Sequence, residues 1–333
     1  MVGQEFTMQL LTDEIDFRIY MKETDAQTKV KRASDYIEAI KERLRGRKTE
    51  IGTMLPWPKT HENFEFRKGE VTLWSGQNGH GKSLMTTQIA LSLIGQGQKV
   101  CIASFEMKPA TTMQRAARMW VGLNPFCPEF QEEKGLAMLD DLYEQFGSWT
   151  DDNLWLYDQM GTANTDTVIG MVRYCAKVLN INHIFIDNLA KCVKGEDDYN
   201  GQKSFVDEIT AVARDYNIHI HLVHHLKKPA NEYAIPDKHD NKGSGSITDQ
   251  VDNVMLVFRN KTKEDDVKAS GSFGKNNADP DHYLLCRKQR NYEGSGEGEP
   301  TIKLWFHRDA QQYIAEAGDL PQWFPAWPHV ATP

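Results

Sequence analysis

The chain has 333 residues and a formal net charge of −8, with 40% hydrophobic and 26% charged residues, which is typical of a globular protein with one large α/β domain or two small ones. No apolar stretch approaches the roughly 20 residues of a membrane-spanning helix, so we expect no membrane partner, and the scattered cysteines favour the reducing cytoplasm. The five cysteines form no C-x-x-C pair, which disfavours a zinc ribbon or a disulfide scaffold.

The first part of the chain, residues 1–55, is predicted to be an N-terminal extension with a linker helix. Residues 1–28 are polar and weakly patterned, whereas Asp35 to Arg45 follow a candidate N-cap, Ser34, with the apolar spacing of a helix. Because so short a helix is marginal in water by itself, we expect it to dock on another protein surface. A Pro56-Trp57-Pro58 run then marks a boundary.

A glycine-rich run follows the first strongly apolar segment. Gly76-Gln77-Asn78-Gly79-His80-Gly81-Lys82-Ser83 matches the phosphate-loop pattern G-x-x-x-x-G-K-[ST] at every fixed position. Residues 70–75 before it are predicted to form a buried strand, and residues 84–93 after it a helix. This context favours a phosphate loop over a glycine-rich turn with a chance lysine.

The fixed positions of this run have distinct chemical roles. Gly76, Gly79 and Gly81 let the backbone curl so that its N–H groups face a bound anion. Lys82 is placed to reach the β- and γ-phosphates, and the Ser83 hydroxyl to ligate Mg²⁺. We therefore predict that the chain binds ATP, dTTP or another nucleoside triphosphate together with Mg²⁺.

Apolar and amphipathic segments alternate from Phe66 onward, which predicts an α/β fold with a mostly parallel central sheet flanked by helices. The further predicted strands are 99–105, 154–157, 183–186, 218–224, 254–258 and 282–286, and the further predicted helices are 111–121, 165–179 and 203–216. Residues 262–281 are charged and rich in small residues and are predicted to be an exposed mobile loop. We assign residues 56–318 to one domain and residues 319–333 to a Pro/Trp-rich tail.

Two acidic residues end predicted strands. Asp187 follows the strand at 183–186 in the manner of a Walker B acid and is expected to complete the Mg²⁺ shell; the alternative is an ordinary strand-ending aspartate. Glu106 ends the strand at 99–105. Since ligands bind beyond the carboxyl ends of parallel strands, Glu106 is expected near the γ-phosphate, where it would orient water. Its alternative is a helix-capping or solvated residue.

Three more segments complete an ordered set of motifs: Val223-His224-His225-Leu226-Lys227-Lys228-Pro229, the run from Lys242 to Asn253, and Arg287-Lys288-Gln289-Arg290-Asn291. Over roughly residues 60–315, this order resembles the RecA-type motor domain of replicative hexameric DNA helicases, above all DnaB-like helicases and the helicase half of phage primase–helicases. The resemblance implies a RecA-like P-loop NTPase. It also implies a DNA helicase that moves 5′ to 3′ on single-stranded DNA as a hexameric ring, in a bacterial or phage replisome.

The resemblance also implies roles for single residues. His225 would sense the γ-phosphate, Lys288 and Arg290 would reach the γ-phosphate of the neighbouring subunit, and Phe306 would lie against the adenine base. Alternatives remain for each. The histidines between 219 and 225 would be hydrogen-bonded strand residues or, less in keeping with their neighbours, a metal site. The basic pair would be a solvated patch, and Phe306 a core residue.

Contacts to DNA are expected from two loops, residues 191–203 and residues 227–245. The candidate residues of the second loop are Lys227, Lys228, Lys242 and Ser244. Such side chains hold phosphates rather than read bases, and the expected ligands are single-stranded DNA and a forked duplex. A charge run of this kind is otherwise simply a solvated surface.

Only about fifty residues precede the predicted motor, so we expect no primase domain and a separate primase and polymerase as partners. The tail either packs on its own domain or docks a partner such as a polymerase. Two other functions remain open: a RecA-like recombination or repair ATPase, and a nucleotide-dependent switch or assembly protein with little hydrolysis. Lys288, Arg290 and the Ser244-Gly245-Ser246 run favour the helicase, and Glu106 argues against a pure switch.

Overall fold

A computed structural model describes the chain over residues 10–11, 33–38, 41, 52–130, 132–195, 197–227, 231–241, 246–292 and 299–324. The predicted N-terminal helix lies mostly outside these residues, and so does the end of the tail. The helices are α1 (Lys82–Gly95), α2 (Pro109–Val121), α3 (Glu133–Thr150), α4 (Thr165–Lys177), α5 (Tyr199–Tyr216), α6 (Ser246–Gln250) and α7 (Lys261–Ser270).

The strands are β1 (Leu10–Leu11), β2 (Val71–Gly76), β3 (Val100–Ser104), β4 (Leu154–Tyr157), β5 (His183–Asp187), β6 (His219–His225), β7 (Asn253–Arg259), β8 (His282–Gln289), β9 (Thr301–His307) and β10 (Gln312–Ile314). They form one sheet in the order β1-β4-β3-β5-β6-β2-β7-β8-β9-β10. The pairs from β1 to β7 are parallel, and the pairs from β7 to β10 are antiparallel. The predicted α/β fold with a mostly parallel sheet is therefore confirmed.

Helices cover both faces of this sheet. One hydrophobic core joins the sheet to α4 and α5, and a second joins its other face to α1. Strands β2 to β5 are buried along their whole length, which explains their continuous apolar sequences. Among the described residues, no helix has the length and apolarity needed to cross a bilayer. β1 extends the sheet edge beside β4, although the sequence pattern predicts no regular structure there.

The buried strand histidines form a neutral hydrogen-bonded network. Trp74 Nε1 donates to His221 Nδ1 (3.2 Å), so the His221 proton lies on Nε2, which is 3.1 Å from His183 Nδ1. His219 Nδ1 donates to the Arg67 carbonyl (2.6 Å). Burial lowers the pKa of His219 to about 4 and the pKa values of His183 and His221 well below the usual 6.5. Across the described ranges, no group of three or more His, Cys, Asp or Glu is arranged to hold a metal ion.

The prediction of a mobile loop over residues 262–281 is wrong, because α7 occupies its first half. The Asn260 side chain accepts from the Lys263 backbone N–H (3.2 Å) and donates to the Pro280 carbonyl (2.9 Å). Lys263 Nζ also forms an ion pair with Asp281 (2.8 Å). This helix is held to the domain by capping and ion pairs, and not by a stripe of apolar side chains. A search for apolar periodicity therefore does not find it. The sequence pattern also fails to predict α3, β9 and β10.

The start of the tail packs on its own domain. Phe324 is 1% exposed and lies in a hydrophobic cluster formed by α1, α2 and α3, with its ring centroid 6.4 Å from that of Trp149. The side chain of Gln312 donates to the Gln322 carbonyl (2.9 Å) and accepts from its N–H (2.7 Å). Of the two alternatives for the tail, packing on its own domain therefore holds as far as Phe324.

Replacing Phe324 with alanine is expected to lower the free energy of unfolding by about 3–5 kcal/mol, because it empties a buried aromatic site. Chemical denaturation followed by circular dichroism measures this change. The matched control is Trp323→Ala, since Trp323 is 46% exposed and its loss should cost less than about 1 kcal/mol. If both variants unfold like the wild type, the tail contributes nothing to the core.

Candidate functional site

The phosphate loop joins β2 to α1 and depends on its three predicted glycines. Gly79 and Gly81 have φ values of +78° and +86°, a region that side chains with a Cβ rarely adopt. Gly76 has no room for a Cβ, which would lie 2.7 Å from the Val257 carbonyl oxygen. The loop therefore needs glycine at each of these three positions. It leads directly into the N-terminus of α1, where backbone N–H groups can bind an anion.

Lys82 is the first residue of α1 and is only 7% exposed. Its Nζ donates to the carbonyls of Gly76 (2.9 Å) and Gln77 (3.0 Å). Burial lowers its pKa, while Asp187 and Glu106 nearby act in the opposite direction. The ammonium group is thus held within the loop by two neutral carbonyl acceptors. The charged oxygens of a phosphate are stronger acceptors and can replace them.

Ser83 and Asp187 lie side by side at the base of the loop. The Ser83 hydroxyl donates to Asp187 Oδ2 (2.7 Å), and burial raises the pKa of Asp187. A hydroxyl and a carboxylate are oxygen ligands of the kind that Mg²⁺ prefers. The phosphate loop and Asp187 are therefore in contact, and Ser83 and Asp187 fit an Mg²⁺ ion; the Walker B role of Asp187 stays a prediction.

Glu106, Asn188 and His225 form a connected polar group at the carboxyl ends of β3, β5 and β6. Asn188 Nδ2 donates to Glu106 Oε1 (2.5 Å) and lies 2.9 Å from His225 Nε2, which is 3.8 Å from Glu106 Oε1. The His225 imidazole holds the pKa of Glu106 below its usual value, against the effect of burial. Glu106 is therefore ionised at neutral pH, as a group that orients or deprotonates water must be.

Sequence reasoning misses Asn188, although it directly follows Asp187. It is 1% exposed, and its Oδ1 has no hydrogen-bond partner among the described residues. An uncharged amide carries no pattern of its own, so the only available signal is its place one residue beyond a Walker B strand. Since its amide nitrogen contacts both Glu106 and His225, Asn188 holds these two side chains together.

A cavity of about 650 Å³ opens beside the phosphate loop. Gly79, Gly81, Arg259, Phe306 and Tyr313 contribute to its lining. Phe306 is half-buried, packs against the core and also lines the cavity. It can therefore be a core residue and still contact the base of a nucleotide. Arg259 Nη1 lies 3.4 Å from the Gly79 carbonyl. Arg259 is a second residue that sequence reasoning misses, because only the pairing of β7 with β2 brings it to the loop.

Lys288 and Arg290 lie near the start of β2, whereas their own phosphate loop follows the end of that strand. Lys288 Nζ donates to the carbonyls of Thr248 (2.8 Å), Asp249 (2.9 Å) and Val251 (2.7 Å). Arg290 Nη1 pairs with Asp252 Oδ1 (3.1 Å). Both cations are therefore held by specific acceptors, unlike a solvated patch.

The strand register shows how far this pair is from the loop. Gln289 is opposite Asn253, which is opposite Thr72, near the start of β2. Gly76 ends the same strand, roughly 13 Å away at about 3.3 Å per residue. Within one chain, Lys288 and Arg290 are therefore far from the expected position of the bound nucleotide.

Of the four candidate DNA-contacting residues, only Lys227 lies within the described ranges. It is exposed, and its backbone N–H donates to the Asp240 carbonyl (2.8 Å). The other three candidates lie outside the described residues: Lys228, Lys242 and Ser244. The DNA contacts therefore stay a prediction.

Comparisons with known proteins identify structures with a similar fold. The structure of a DnaB-like replicative helicase, described with its interactions with primase, superposes with a TM-score of 0.66 at 13% sequence identity, over 86% of this chain and 67% of that chain. A second solved structure, that of an ATPase domain, superposes with a TM-score of 0.66 at 14% identity, over 86% of this chain and 99% of that domain. The predicted RecA-like fold is thereby confirmed. Residues 65–231, half of the chain, match the AAA domain family, and the chain therefore belongs to that family.

Proposed function

We propose that this chain is an ATP-dependent replicative DNA helicase that acts as a ring on single-stranded DNA. The observation that carries the proposal is the contact of Asn188 with both Glu106 and His225. Glu106 belongs to the expected hydrolytic site, and His225 ends the strand that leads into the loop at Lys227. The group that would act on water is thus physically joined to the start of a candidate DNA-binding loop.

The residues of the site support hydrolysis of a nucleoside triphosphate. Lys82 would neutralise charge on the β- and γ-phosphates, and Ser83 and Asp187 would hold Mg²⁺, which withdraws charge from the phosphate oxygens. Glu106 would orient a water molecule and accept its proton. The water oxygen bonds to the γ-phosphorus as the bond to the β–γ bridging oxygen breaks, which releases ADP and phosphate. Phe306 would lie against the base.

Loss of the γ-phosphate would be sensed by His225 and passed to the loop that begins at Lys227. Lys227, Lys228, Lys242 and Ser244 would contact DNA phosphates without reading sequence. Sequential hydrolysis in neighbouring subunits would then move the ring along the strand, and the resemblance to DnaB-like helicases is the reason that we expect movement from 5′ to 3′.

A ring explains the placement of Lys288 and Arg290. They lie too far from their own phosphate loop to act on it, whereas a head-to-tail ring brings one edge of each subunit to the face of the next. In the ring, both side chains would leave the carbonyls that hold them and reach the neighbour's γ-phosphate. A cation supplied in this way stabilises the charge of the transition state.

Mixing Arg290→Ala protein with Lys82→Ala protein is expected to restore ATP hydrolysis that neither variant has alone. In a mixed ring, an Arg290→Ala subunit with an intact loop can lie next to a Lys82→Ala subunit with an intact Arg290. In a 1:1 mixture about a quarter of the interfaces have this arrangement, so recovery should approach about a quarter of wild-type activity if interfaces act independently. Phosphate release across a series of mixing ratios measures it.

Two controls make this result decisive. Arg287 lies on β8, which ends just before Arg290. The Arg287→Ala variant should hydrolyse ATP by itself, without mixing. Exchange of subunits must be confirmed by a fluorescence transfer signal between labelled variants. No recovery in rings that demonstrably contain both variants would mean that Arg290 acts within its own subunit or not at all.

The other assignments follow from the helicase proposal. The motor spans residues 56–318, with residues 1–55 as an extension that contacts an adjacent subunit and residues 319–333 as a tail. The protein would work in the cytoplasm of a bacterium or a phage-infected host. A separate primase and polymerase would act beside it at the replication fork.

Unwinding of a forked DNA duplex tests the proposed function. With ATP and Mg²⁺, strand separation should occur when the fork has a free 5′ tail and should fail when it has only a 3′ tail. Strand pairing or exchange without unwinding would indicate the recombination ATPase instead. Nucleotide binding with neither hydrolysis nor unwinding would indicate a switch or assembly protein.

A further inference from the structure

The loop between β6 and β7 is closed at its base, directly beside the phosphate loop. Leu226 and Asn241 form an antiparallel bridge across this base. The Lys227 N–H donates to the Asp240 carbonyl (2.8 Å). Asn241 is only 3% exposed, although the segment before it lies on the surface. The base of this loop is therefore an ordered part of the motor.

The side chain of Asn241 joins this base to the first residue before the phosphate loop. Its Oδ1 accepts a short hydrogen bond from the Ser75 hydroxyl, and its Nδ2 donates to the Lys238 carbonyl (2.7 Å). Ser75 is fully buried and directly precedes Gly76. A buried hydroxyl that loses its acceptor is costly, so this contact restrains both partners.

A second contact joins the other end of the same loop to the next residue of β2. The Leu226 N–H points to the Gly76 carbonyl (3.3 Å), and that carbonyl also accepts from Lys82 Nζ (2.9 Å). Both ends of the loop, at Leu226 and Asn241, thus contact the two residues at which the phosphate loop begins. When Lys82 turns to a bound phosphate, it leaves a carbonyl that the loop base shares.

We propose that Asn241 is a positioning residue that couples the nucleotide state of the phosphate loop to the loop between β6 and β7. This path through Ser75 is separate from the path through Asn188 and His225. Asn241 lies away from the reacting atoms and acts through Ser75. The proposal rests on the proposed function for the identity of the loop's ligand, single-stranded DNA, but the coupling to nucleotide does not depend on it.

Hydrogen–deuterium exchange tests the coupling without DNA. In the wild type, a non-hydrolysable ATP analogue with Mg²⁺ should change amide exchange in peptides that cover residues 226–241. In Asn241→Ala and in Ser75→Ala this change should shrink at least threefold, while exchange in α1 still responds to the analogue. The double variant should show no further loss, because both substitutions break one contact.

The matched control is Asn253→Ala. Asn253 is a fully buried asparagine at the start of β7, and its Nδ2 donates to Glu70 (2.9 Å) at the end of the strands away from the phosphate loop. It should keep the wild-type response even if it lowers stability. A wild-type response in both Ser75→Ala and Asn241→Ala would overturn the coupling. If Asn241→Ala does not fold, Ser75→Ala alone decides, because it removes only one hydroxyl.

Affinity for oligothymidylate gives the functional measurement. The ratio of Kd values with and without the ATP analogue should differ from one by at least about fivefold in the wild type and should lie within about twofold of one in both alanine variants. Affinity for the analogue without DNA should change less than threefold. A wild type that does not bind oligothymidylate would contradict the helicase, while the exchange result would still decide the role of Asn241.

Discussion

Lys82→Ala should reduce ATP hydrolysis by about 10³-fold or more, because the phosphate loop then lacks its cation for the β- and γ-phosphates. Lys82 is buried at the start of α1, and its Nζ is held by two loop carbonyls. No other lysine within the described residues occupies the loop. Steady-state phosphate release with saturating ATP and Mg²⁺ measures the effect.

Lys99→Ala provides the control for this variant. Lys99 immediately precedes β3, and its Nζ lies 5.4 Å from the centre of the Trp155 ring, outside the candidate site. It should hydrolyse ATP at the wild-type rate. Turnover near the wild-type rate in folded Lys82→Ala would show that the glycine-rich run does not act as a phosphate loop.

Glu106→Gln should lower the rate of hydrolysis by roughly 10²–10⁴-fold while nucleotide binding survives. The glutamine keeps the size of the side chain but cannot accept a proton from water. The phosphate loop and Asp187 are unchanged, so the Kd for an ATP analogue should stay within about threefold of the wild-type value. Single-turnover hydrolysis and equilibrium titration with a fluorescent analogue separate the two effects.

A glutamate at the surface serves as the comparison. Glu208 pairs with Arg173 at 3.5 Å on the far helices, and Glu208→Gln should leave both quantities unchanged. If Glu106→Gln loses binding together with turnover, Glu106 has a structural role. The contacts of Asn188 and His225 with its carboxylate would then serve to hold the strand ends.

The core of the candidate site could be predicted from the sequence because its signals are local. The phosphate loop is one continuous run, and Asp187 and Glu106 each end an apolar strand that is readable by itself. Parallel strands place their carboxyl ends at one edge of the sheet, so both acids are expected at the same edge as the phosphate loop. The hydrogen bond from Ser83 to Asp187 agrees with that reasoning.

The residues that escape prediction depend on strand order. Arg259 reaches the phosphate loop because β7 pairs with β2, two strands that are far apart in the sequence. Asn241 meets Ser75 across 166 positions. Asn188 directly follows the predicted Walker B residue, Asp187. An uncharged amide at this place has the same appearance in the sequence as an ordinary turn residue. The sequence does not specify which strands become neighbours, and therefore leaves these contacts undetermined.

The same reason applies to the tail and to α7. Phe324 packs on helices that lie about two hundred positions earlier in the chain, so its aromatic sequence was compatible with either docking or burial. α7 has no apolar stripe, and polar segments without periodicity are predicted as loops. Its capping residue, Asn260, is visible in the sequence, but the partner carbonyl at Pro280 comes only from the fold.

The rate of ATP hydrolysis with and without oligothymidylate tests most directly whether this hydrolytic site communicates with a nucleic-acid strand. In Mg²⁺, single-stranded DNA should raise the rate at least about fivefold, which is the lower range of coupling between two sites. The stimulation should disappear in Glu106→Gln. A wild-type rate that is the same with oligothymidylate, with duplex DNA and without DNA would contradict a helicase motor.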